Sequence, residues 1–274
     1  MKKNLVIAAA VGLNIDQITL FIKSLRKYYK DDICFVIGQN DTSLEKELEK
    51  YKTIIVKTNI YKKSIQFERY KIFLNFLEKN NYDSVLCIDS RDVYFQTNPF
   101  NFQYKGEINF FLEDKQIKEC PFNTNWIIKT YGEEKFRSIK DKIILCSGTV
   151  LGKQEKIKEY LRLLIDNILK FRYKRKLKYL LTFRPDPEGR GRDQGHANYL
   201  VHKNMIKNYH FYSNKSGPIA TVFHLKEIIF NKKHELINSL NEPYIIVHQY
   251  DKKWNEFKNN VNKIRLQLGI SKIL

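Results

Sequence analysis

The sequence predicts an α/β fold, a single domain with a central mixed, mostly parallel sheet flanked by helices. Short apolar runs alternate with helical patterns through the first half of the chain, which is typical of βα units. The chain has 274 residues, 43% of them hydrophobic, so it can bury one large core and is not disordered as a whole. No apolar run approaches the length of about 18 residues that a membrane-spanning helix needs, so we expect none.

The first half predicts four strands with helices between them. Apolar residues of the third helix recur at a three-to-four-residue spacing, as at Ile65, Ile72 and Phe76, and predict a face packed on the sheet. The opening run also resembles a short secretory signal. Because an amphipathic helix follows it at once, we interpret it as the first strand. The predicted strands lie at 5–10, 33–37, 54–56 and 85–88, and the predicted helices near 15–30, 42–50 and 64–79.

After Pro99 the pattern changes to apolar runs separated by longer loops and helices. We expect this second half to continue the same sheet. Two Pro, two Gly and three Arg within 182–192 predict a loop after a long helix. The predicted strands lie at 108–112, 143–151, 219–225 and 244–247, the long helix at 153 to about 180, and a terminal helix carries one apolar face made of Trp254, Phe257, Val261, Ile264 and Leu268.

The net charge of +19 is compatible with a nucleic-acid-binding protein, because a clustered basic surface gains affinity for nucleic acid by releasing counterions from its phosphates. Lysine accounts for most of the 49 cations, a bias typical of AT-rich genomes. The strongest cluster, at 170–178, interleaves basic and apolar residues and has no acid. It indicates either a solvated helix face or a contact with an anionic membrane.

The four cysteines show no C-x-x-C spacing, so they predict neither a zinc ribbon nor a redox pair. Cys34, Cys87 and Cys146 lie in apolar runs, and we interpret them as small core residues.

The segment Ser84–Phe100 carries the most informative chemistry. A buried strand at 85–88 brings Asp89 and Asp92 to its carboxyl end, where open α/β sheets place their ligands. Two acids with Arg91 between them could form a structural ion pair on a turn. They could also hold Mn²⁺ or Mg²⁺, which in turn neutralises a diphosphate leaving group.

This segment resembles the acidic motif of metal-dependent, nucleotide-sugar-using glycosyltransferases of the GT-A fold. In those enzymes a hydrophobic strand ends in a DXD motif, and this chain has Asp89-Ser90-Arg91-Asp92 within a DxRDxxFQxxPF pattern. Further matches follow the family's order along the chain. They are Arg69 in Phe67-Glu68-Arg69-Tyr70, the SGxxxG turn with Ser147 and Gly148, the DQ pair Asp193-Gln194, and the late histidine His248.

The resemblance implies a GT-A-like domain over 1–250, with a nucleotide-binding half at 1–100 and an acceptor half at 101–250. The remaining 251–274 would be a helix packed on the domain or peripheral to a membrane. It also implies transfer of a sugar from a nucleotide-diphosphate sugar to a hydroxyl of a glycan or lipid-linked acceptor, with a cytoplasmic location, a peripheral membrane contact as an option, and no nucleic acid. The implied residues are Asp89, Asp92 and His248 for the metal, Arg69, Asp89, Arg91, Ser147, Gly148 and Gln194 for the donor, and Asp193 for catalysis.

Several roles remain open within this resemblance. The spacing is D-x-x-D, so Asp92 is the first choice for the metal and Asp89 can instead hold the ribose or a water. Asp193 can deprotonate the acceptor, contact the sugar face in a retaining enzyme, or serve as a helix N-cap. Cys146 and Lys215 stand where the family more often has an Asn and an acid. Arg190 or Arg192 joins Arg69 and Arg91 as a candidate for phosphate contacts, since Arg suits bidentate geometry.

A haloacid-dehalogenase-like phosphatase is a further alternative, with Asp89 as the nucleophile. That family needs an acid two positions later, where Arg91 stands, and a hydroxyl two beyond that, where Val93 stands. The location of the basic residues separates the alternatives. Cations beside the two acids favour the sugar-nucleotide enzyme, whereas a broad stripe remote from them favours nucleic acid.

Overall fold

The computed structural model describes residues 3–60, 64–182 and 191–271 and has the predicted α/β fold. Its central sheet has seven strands in the order β3-β2-β1-β4-β7-β6-β8. The strands are β1 (Leu5–Ala9), β2 (Asp32–Gly38), β3 (Ile54–Thr58), β4 (Ser84–Asp89), β5 (Val93–Phe95), β6 (Ile108–Gln116), β7 (Ile143–Lys153), β8 (Tyr209–Tyr212), β9 (Ile219–Thr221), β10 (Ile229–Phe230), β11 (Leu236–Ile237) and β12 (Ile246–His248). The helices are α1 (Ile15–Tyr28), α2 (Thr42–Glu49), α3 (Ile65–Lys79), α4 (Pro121–Tyr131), α5 (Glu133–Arg137), α6 (Gln154–Thr182), α7 (Arg192–His202) and α8 (Trp254–Gln267).

The strand order reverses beside β1. From β1 the chain builds outward through β2 to β3, and it then returns to place β4 on the other side of β1, with both neighbours parallel to it. Ligands of open α/β sheets bind in the crevice at such a reversal, outside the carboxyl ends of the strands. Asp89 is the last residue of β4 and pairs with Ala9, so it lies at this position.

Alternate residues of the strands enter two cores on opposite faces of the sheet. Leu5 and Ile7 face a core built with α3, α6 and α7, while Val6 and Ala8 face a second core built with α1 and α2. This alternation is the two-residue side-chain period of a strand. The sheet is therefore covered on both faces, as a largely parallel sheet requires.

The expectation that the whole second half continues one sheet is only partly correct. Strands β6, β7 and β8 do extend the main sheet, but β9 and β12 pair with β5 in a separate three-stranded sheet, β5-β12-β9. The predicted strand at 219–225 is correspondingly short, because a 3-10 helix replaces it from Val222. Every residue of β9 and β12 is buried, so apolar runs predict that they are strands without revealing which sheet they join.

The terminal helix α8 packs on this smaller sheet. Phe257 and Val261 are fully buried in a third apolar cluster that also contains Leu20 of α1 and Tyr94 of β5. Of the predicted loop at 182–192, residues 183–190 lie outside the described part of the chain, and Arg190 with them. Among the helices of the described ranges, none combines the length and the apolar character needed to cross a bilayer.

Candidate functional site

Three side chains predicted to hold a metal meet at the junction of the two sheets. His248 Nε2 lies 3.5 Å from Asp89 Oδ2 and 3.8 Å from Asp92 Oδ1. One ligand atom from each residue can be chosen so that all lie within 4.8 Å of one another. In the ranges that the structure describes, this is the only group of three or more His, Cys, Asp or Glu side chains with such an arrangement.

The backbone explains why residues so far apart in sequence meet. After Asp89 the chain leaves the main sheet, and the Ser90 hydroxyl donates to the Ala9 carbonyl at 2.7 Å, which ties the turn to β1. The chain then enters β5, whose first residue, Val93, pairs with His248 of antiparallel β12. Asp92 precedes Val93, so this pairing brings Asp92 beside the imidazole. One tight turn therefore spans both sheets and carries both carboxylates.

The second ring nitrogen of His248, Nδ1, contacts two side chains that were not among the predicted site residues. Nδ1 lies 3.0 Å from Thr149 Oγ1 and 3.5 Å from Cys146 Sγ, both on β7. Metal-bound histidines usually hydrogen-bond through their second nitrogen, which fixes the ring orientation. Nothing in the sequence marks Thr149 as a site residue, because it lies within an apolar run. Its side chain is fully buried.

The protonation states of the cluster are strongly perturbed. Burial raises the pKa of Asp89, but Arg69 and His248 outweigh burial and hold it below its usual range. Burial raises the pKa of Asp92, and His248 only partly offsets this. Burial lowers the pKa of His248, yet Cys146 and the two carboxylates outweigh burial and raise it well above 6.5. Without a cation, the imidazole is therefore protonated and supplies the positive charge that the carboxylates need.

These groups fit a divalent cation. His248 Nε2 is buried and makes no hydrogen bond to any described residue, so its lone pair becomes available to a cation once the cation displaces its proton. Two adjacent ligands at about 2.1 Å from a cation lie roughly 3 Å apart, so small side-chain movements from the observed separations would complete the coordination. Carboxylate oxygens suit Mg²⁺ and Mn²⁺, and the imidazole favours Mn²⁺ because Mg²⁺ takes oxygen ligands.

Arg69 connects the cluster to α7. Its guanidinium contacts Asp89 Oδ1 through Nη1, and its Nη2 donates to Asp193 Oδ2 at 3.1 Å. The same Asp193 oxygen accepts a hydrogen bond from the Tyr70 hydroxyl at 2.8 Å. The N-cap of α7 is Gly191, not Asp193. Asp193 is thus a buried carboxylate fixed by an arginine and a tyrosine.

Gly148, Ser147 and Gln194 line the same site. A Cβ added to Gly148 would lie 2.5 Å from Asp89 Oδ2 and 2.6 Å from His248 Cε1, so only glycine leaves room for the cluster. Gln194 Oε1 is the acceptor for the Ser147 amide at 3.5 Å. The DQ pair of α7 and the SG turn of β7 therefore meet beside Asp89 and His248.

Arg91 and Arg192, the other predicted arginines in the described part of the chain, make contacts with residues outside the cluster. Arg91 pairs with Asp251 at 2.5 Å, and its side chain is 52% exposed. The two residues line a surface cavity of about 470 Å³ together with Asn14 and Trp254. Arg192 is buried and stacks on Phe171, with its guanidinium carbon 5.4 Å from the ring centre.

A buried acid at the edge of this site escaped the sequence analysis. Glu113 Oε1 accepts from Gln194 Nε2 at 3.3 Å, while Oε2 lies 3.5 Å from His224 Nε2 without a hydrogen bond among the described residues. Burial raises the pKa of Glu113 to about 7. The sequence offered no signal for Glu113, because an acid near the end of an apolar run usually marks the solvent-exposed end of a strand.

Comparison with known proteins adds no identification. No protein-family model matches the chain, and a sequence search of curated proteins finds no match.

Proposed function

We propose that the protein is a metal-dependent glycosyltransferase that moves a sugar from a nucleotide-diphosphate sugar to a hydroxyl of a glycan or lipid-linked acceptor. The observation that carries this proposal is the Asp89, Asp92 and His248 cluster at the carboxyl end of β4, at the reversal of strand order. Open α/β sheets bind nucleotides in that crevice. A cation bound there would neutralise the charge that develops on the departing diphosphate.

The protein's own residues support defined roles around that cation. Asp89, Asp92 and His248 would hold it, and Thr149 orients the imidazole. Arg69 is partly buried between Asp89 and Asp193, so it is positioned to contact a phosphate oxygen that enters the cluster. The absence of a side chain at Gly148 lets Asp89 and His248 approach each other, because a Cβ there would collide with both.

The surface cavity near Arg91 suits the nucleoside part of the donor. It opens beside Asn14, the N-cap of α1, and is bordered by Trp254, whose ring offers an apolar surface for a base. Asp16 and Asp251 supply carboxylates that can accept hydrogen bonds from ribose hydroxyls. Arg91, which lines this cavity, directly precedes Asp92 in the turn that carries both carboxylates.

Asp193 and Gln194 would face the reacting sugar. A general base must reach the acceptor hydroxyl, but Asp193 is buried and one of its oxygens already accepts from Arg69 and Tyr70. We therefore assign Asp193 the role of holding Arg69 and contacting the sugar. The amide of Gln194 lies between Glu113 and Ser147 and can exchange these partners for sugar hydroxyls.

The alternative of a nucleic-acid-binding protein gains no support from the arginines of the basic cluster on α6. Arg172 pairs with Glu68 of α3, and Arg175 stacks on Phe171. These arginines are thus committed to packing within the domain, whereas phosphate recognition prefers arginines that are free to make bidentate contacts.

The test is a panel of nucleotide sugars screened for Mn²⁺-dependent hydrolysis and for Mn²⁺-dependent thermal stabilisation. We expect one donor class to score in both assays. Asp92→Ala should then reduce turnover at least about 100-fold, because loss of charge neutralisation at the diphosphate removes several kcal/mol of transition-state stabilisation. The variant should stay folded, since burial makes the charged form of Asp92 unfavourable in the protein alone.

Asp83→Ala is the matched control. Asp83 precedes the same strand at its opposite, amino end and is exposed, so its loss should leave turnover unchanged. Near-normal turnover in Asp92→Ala would contradict the site assignment. Failure of every nucleotide sugar to stabilise the protein in the presence of Mn²⁺ would contradict the proposed function.

A further inference from the structure

The second half of α6 carries an apolar surface on the side that faces away from the domain. Leu169, Tyr173, Leu177, Leu180 and Leu181 have exposed fractions of 42%, 70%, 47%, 58% and 74%. At 100° per residue these five side chains fall within an arc of about 120°. We call this surface the outer face of α6. Isolated exposed apolar residues are ordinary, but a contiguous set on one helix marks an interaction site.

The opposite side of the same helix accounts for its attachment to the domain. Ile168 and Phe171 are buried in the protein, and Arg172 reaches across to Glu68 of α3. The helix therefore has two apolar sides, of which the domain covers one. The basic cluster predicted at 170–178 divides in the same way: its arginines turn inward, and Lys170, Lys174 and Lys176 remain exposed.

The positive charge around the outer face indicates which kind of partner it binds. Residues 167–182 contain no Asp or Glu, and Lys174 and Lys176 lie on the two borders of the apolar arc. Lysines that flank an apolar face are typical of helices that lie in the headgroup region of an anionic bilayer. A second copy of this chain fits less well, because a symmetric α6 to α6 contact would bring these lysines together.

We propose that the outer face of α6 docks the protein on an anionic membrane surface. The five apolar side chains enter the boundary between headgroups and acyl chains, and Lys170, Lys174 and Lys176 contact the anionic headgroups. The helix section from Leu169 to Leu181 is about 18 Å long. Because its exposed apolar side chains lie on one side, the helix axis would lie parallel to the membrane surface. This docking is independent of the catalytic function proposed above.

The test is co-sedimentation of the full chain with phosphatidylcholine vesicles that contain or lack 30% phosphatidylglycerol, an amount of about one anionic lipid in three chosen for a strong surface potential. We expect binding only to the anionic vesicles, and weaker binding as salt is added. Lys174→Glu with Lys176→Glu should weaken binding at least about 25-fold, because each lysine near the surface contributes about fivefold. Leu177→Ser with Leu181→Ser should weaken it at least about tenfold.

The control for the charge variant is Lys258→Glu with Lys263→Glu on α8, and the control for the apolar variant is Leu266→Ser, compared with Leu177→Ser alone. All three control residues are exposed, so each control changes the charge or the apolar content by the same amount as the α6 variant it is compared with. Both controls should bind vesicles almost as the wild type does. All substituted residues are exposed, and circular dichroism with thermal unfolding verifies that each variant folds.

Three results would overturn the proposal. One is the absence of binding to anionic vesicles, and another is binding that the α6 substitutions leave unchanged. The third is a concentration-dependent dimer, detected by analytical ultracentrifugation, that the α6 substitutions dissociate, which would assign the outer face to a second copy. None of these results bears on Mn²⁺-dependent donor hydrolysis, so the two proposals fail separately.

Discussion

Substituting Gly148 by alanine tests the metal site through a single methyl group. The added Cβ would lie 2.5 Å from Asp89 Oδ2 and 2.6 Å from His248 Cε1, whereas ordinary contacts begin at 3.4 Å. The carboxylate or the ring must therefore move by about 0.9 Å, the difference between 3.4 and 2.5 Å. The backbone itself accepts alanine, because Gly148 has no positive φ.

A movement of this size should abolish cation binding while the protein stays folded. Distances from a metal to its ligands tolerate only about 0.2 Å, so the shift removes Asp89 or His248 from the coordination. Replacement of residues that merely orient ligands costs about 10- to 100-fold in affinity, and we expect a loss of at least about 100-fold here. The overpacking should cost about 1–3 kcal/mol in the free energy of unfolding.

Isothermal titration with Mn²⁺ and urea unfolding measure the two quantities on one preparation. Gly152→Ala is the control, because Gly152 lies on the same strand and its Cβ would come 2.5 Å from the Glu107 carbonyl oxygen, away from the cluster. It should lose stability and keep its Mn²⁺ affinity. Unchanged Mn²⁺ affinity in Gly148→Ala would refute the reasoning, since no cation could then lie between Asp89 and His248.

Three further predictions follow from the buried groups. Binding of Mn²⁺ at pH 7 should release about one proton, because the raised pKa of His248 leaves its ring protonated beforehand; titration in buffers of different ionisation enthalpy measures it, and zero release would place the cation elsewhere. Burial raises the pKa of Glu113 from 4.5 to about 7, so the folded protein keeps a proton that the unfolded chain releases. The free energy of unfolding that depends on this proton is fully present below pH 4.5, and roughly 3 kcal/mol of it is lost as the pH rises to about 7. Glu113→Gln should therefore flatten the pH dependence of urea unfolding across this range, and an unaltered slope would assign it to other groups. Asp193→Asn should lower kcat far more than it raises the donor KM, because it weakens the hold on Arg69 but leaves the cation ligands in place. A loss of thermal stability with normal kcat would make Asp193 purely structural.

The metal-site residues illustrate what a sequence can predict. Asp89 and Asp92 follow an apolar strand, and the carboxyl ends of parallel strands meet at one edge of a sheet, so local pattern alone placed them at the site. Strand existence was predictable for the same reason, since β1, β2, β3 and β4 are short apolar runs between helical patterns. The sheet to which a strand belongs was not predictable, because the buried apolar runs of β9 and β12 do not indicate which strands they pair with.

Residues whose role depends on tertiary contacts could not be predicted from the spacing of apolar residues. Thr149 and Glu113 lie in strands that read as apolar, and their polar groups gain meaning only from His248 and Gln194, which come from distant segments. The basic cluster on α6 shows the reverse case. Its composition suggested one charged face, but helical geometry divides it, and the arginines form contacts inside the domain while the lysines face outward.

The small sheet supplies His248, the third candidate ligand of the proposed metal site. His248 reaches the two carboxylates only because β12 pairs with β5, and β5 begins one residue after Asp92. The amide of Gln249, which follows His248, also donates to the Asp92 carbonyl at 2.8 Å. Cation binding would therefore clamp β12 against the turn that joins the two sheets. Stabilisation by Mn²⁺ should accordingly protect the amides of β5 and β12 from hydrogen exchange more than those of β2 and β3, which lie on the far side of β1.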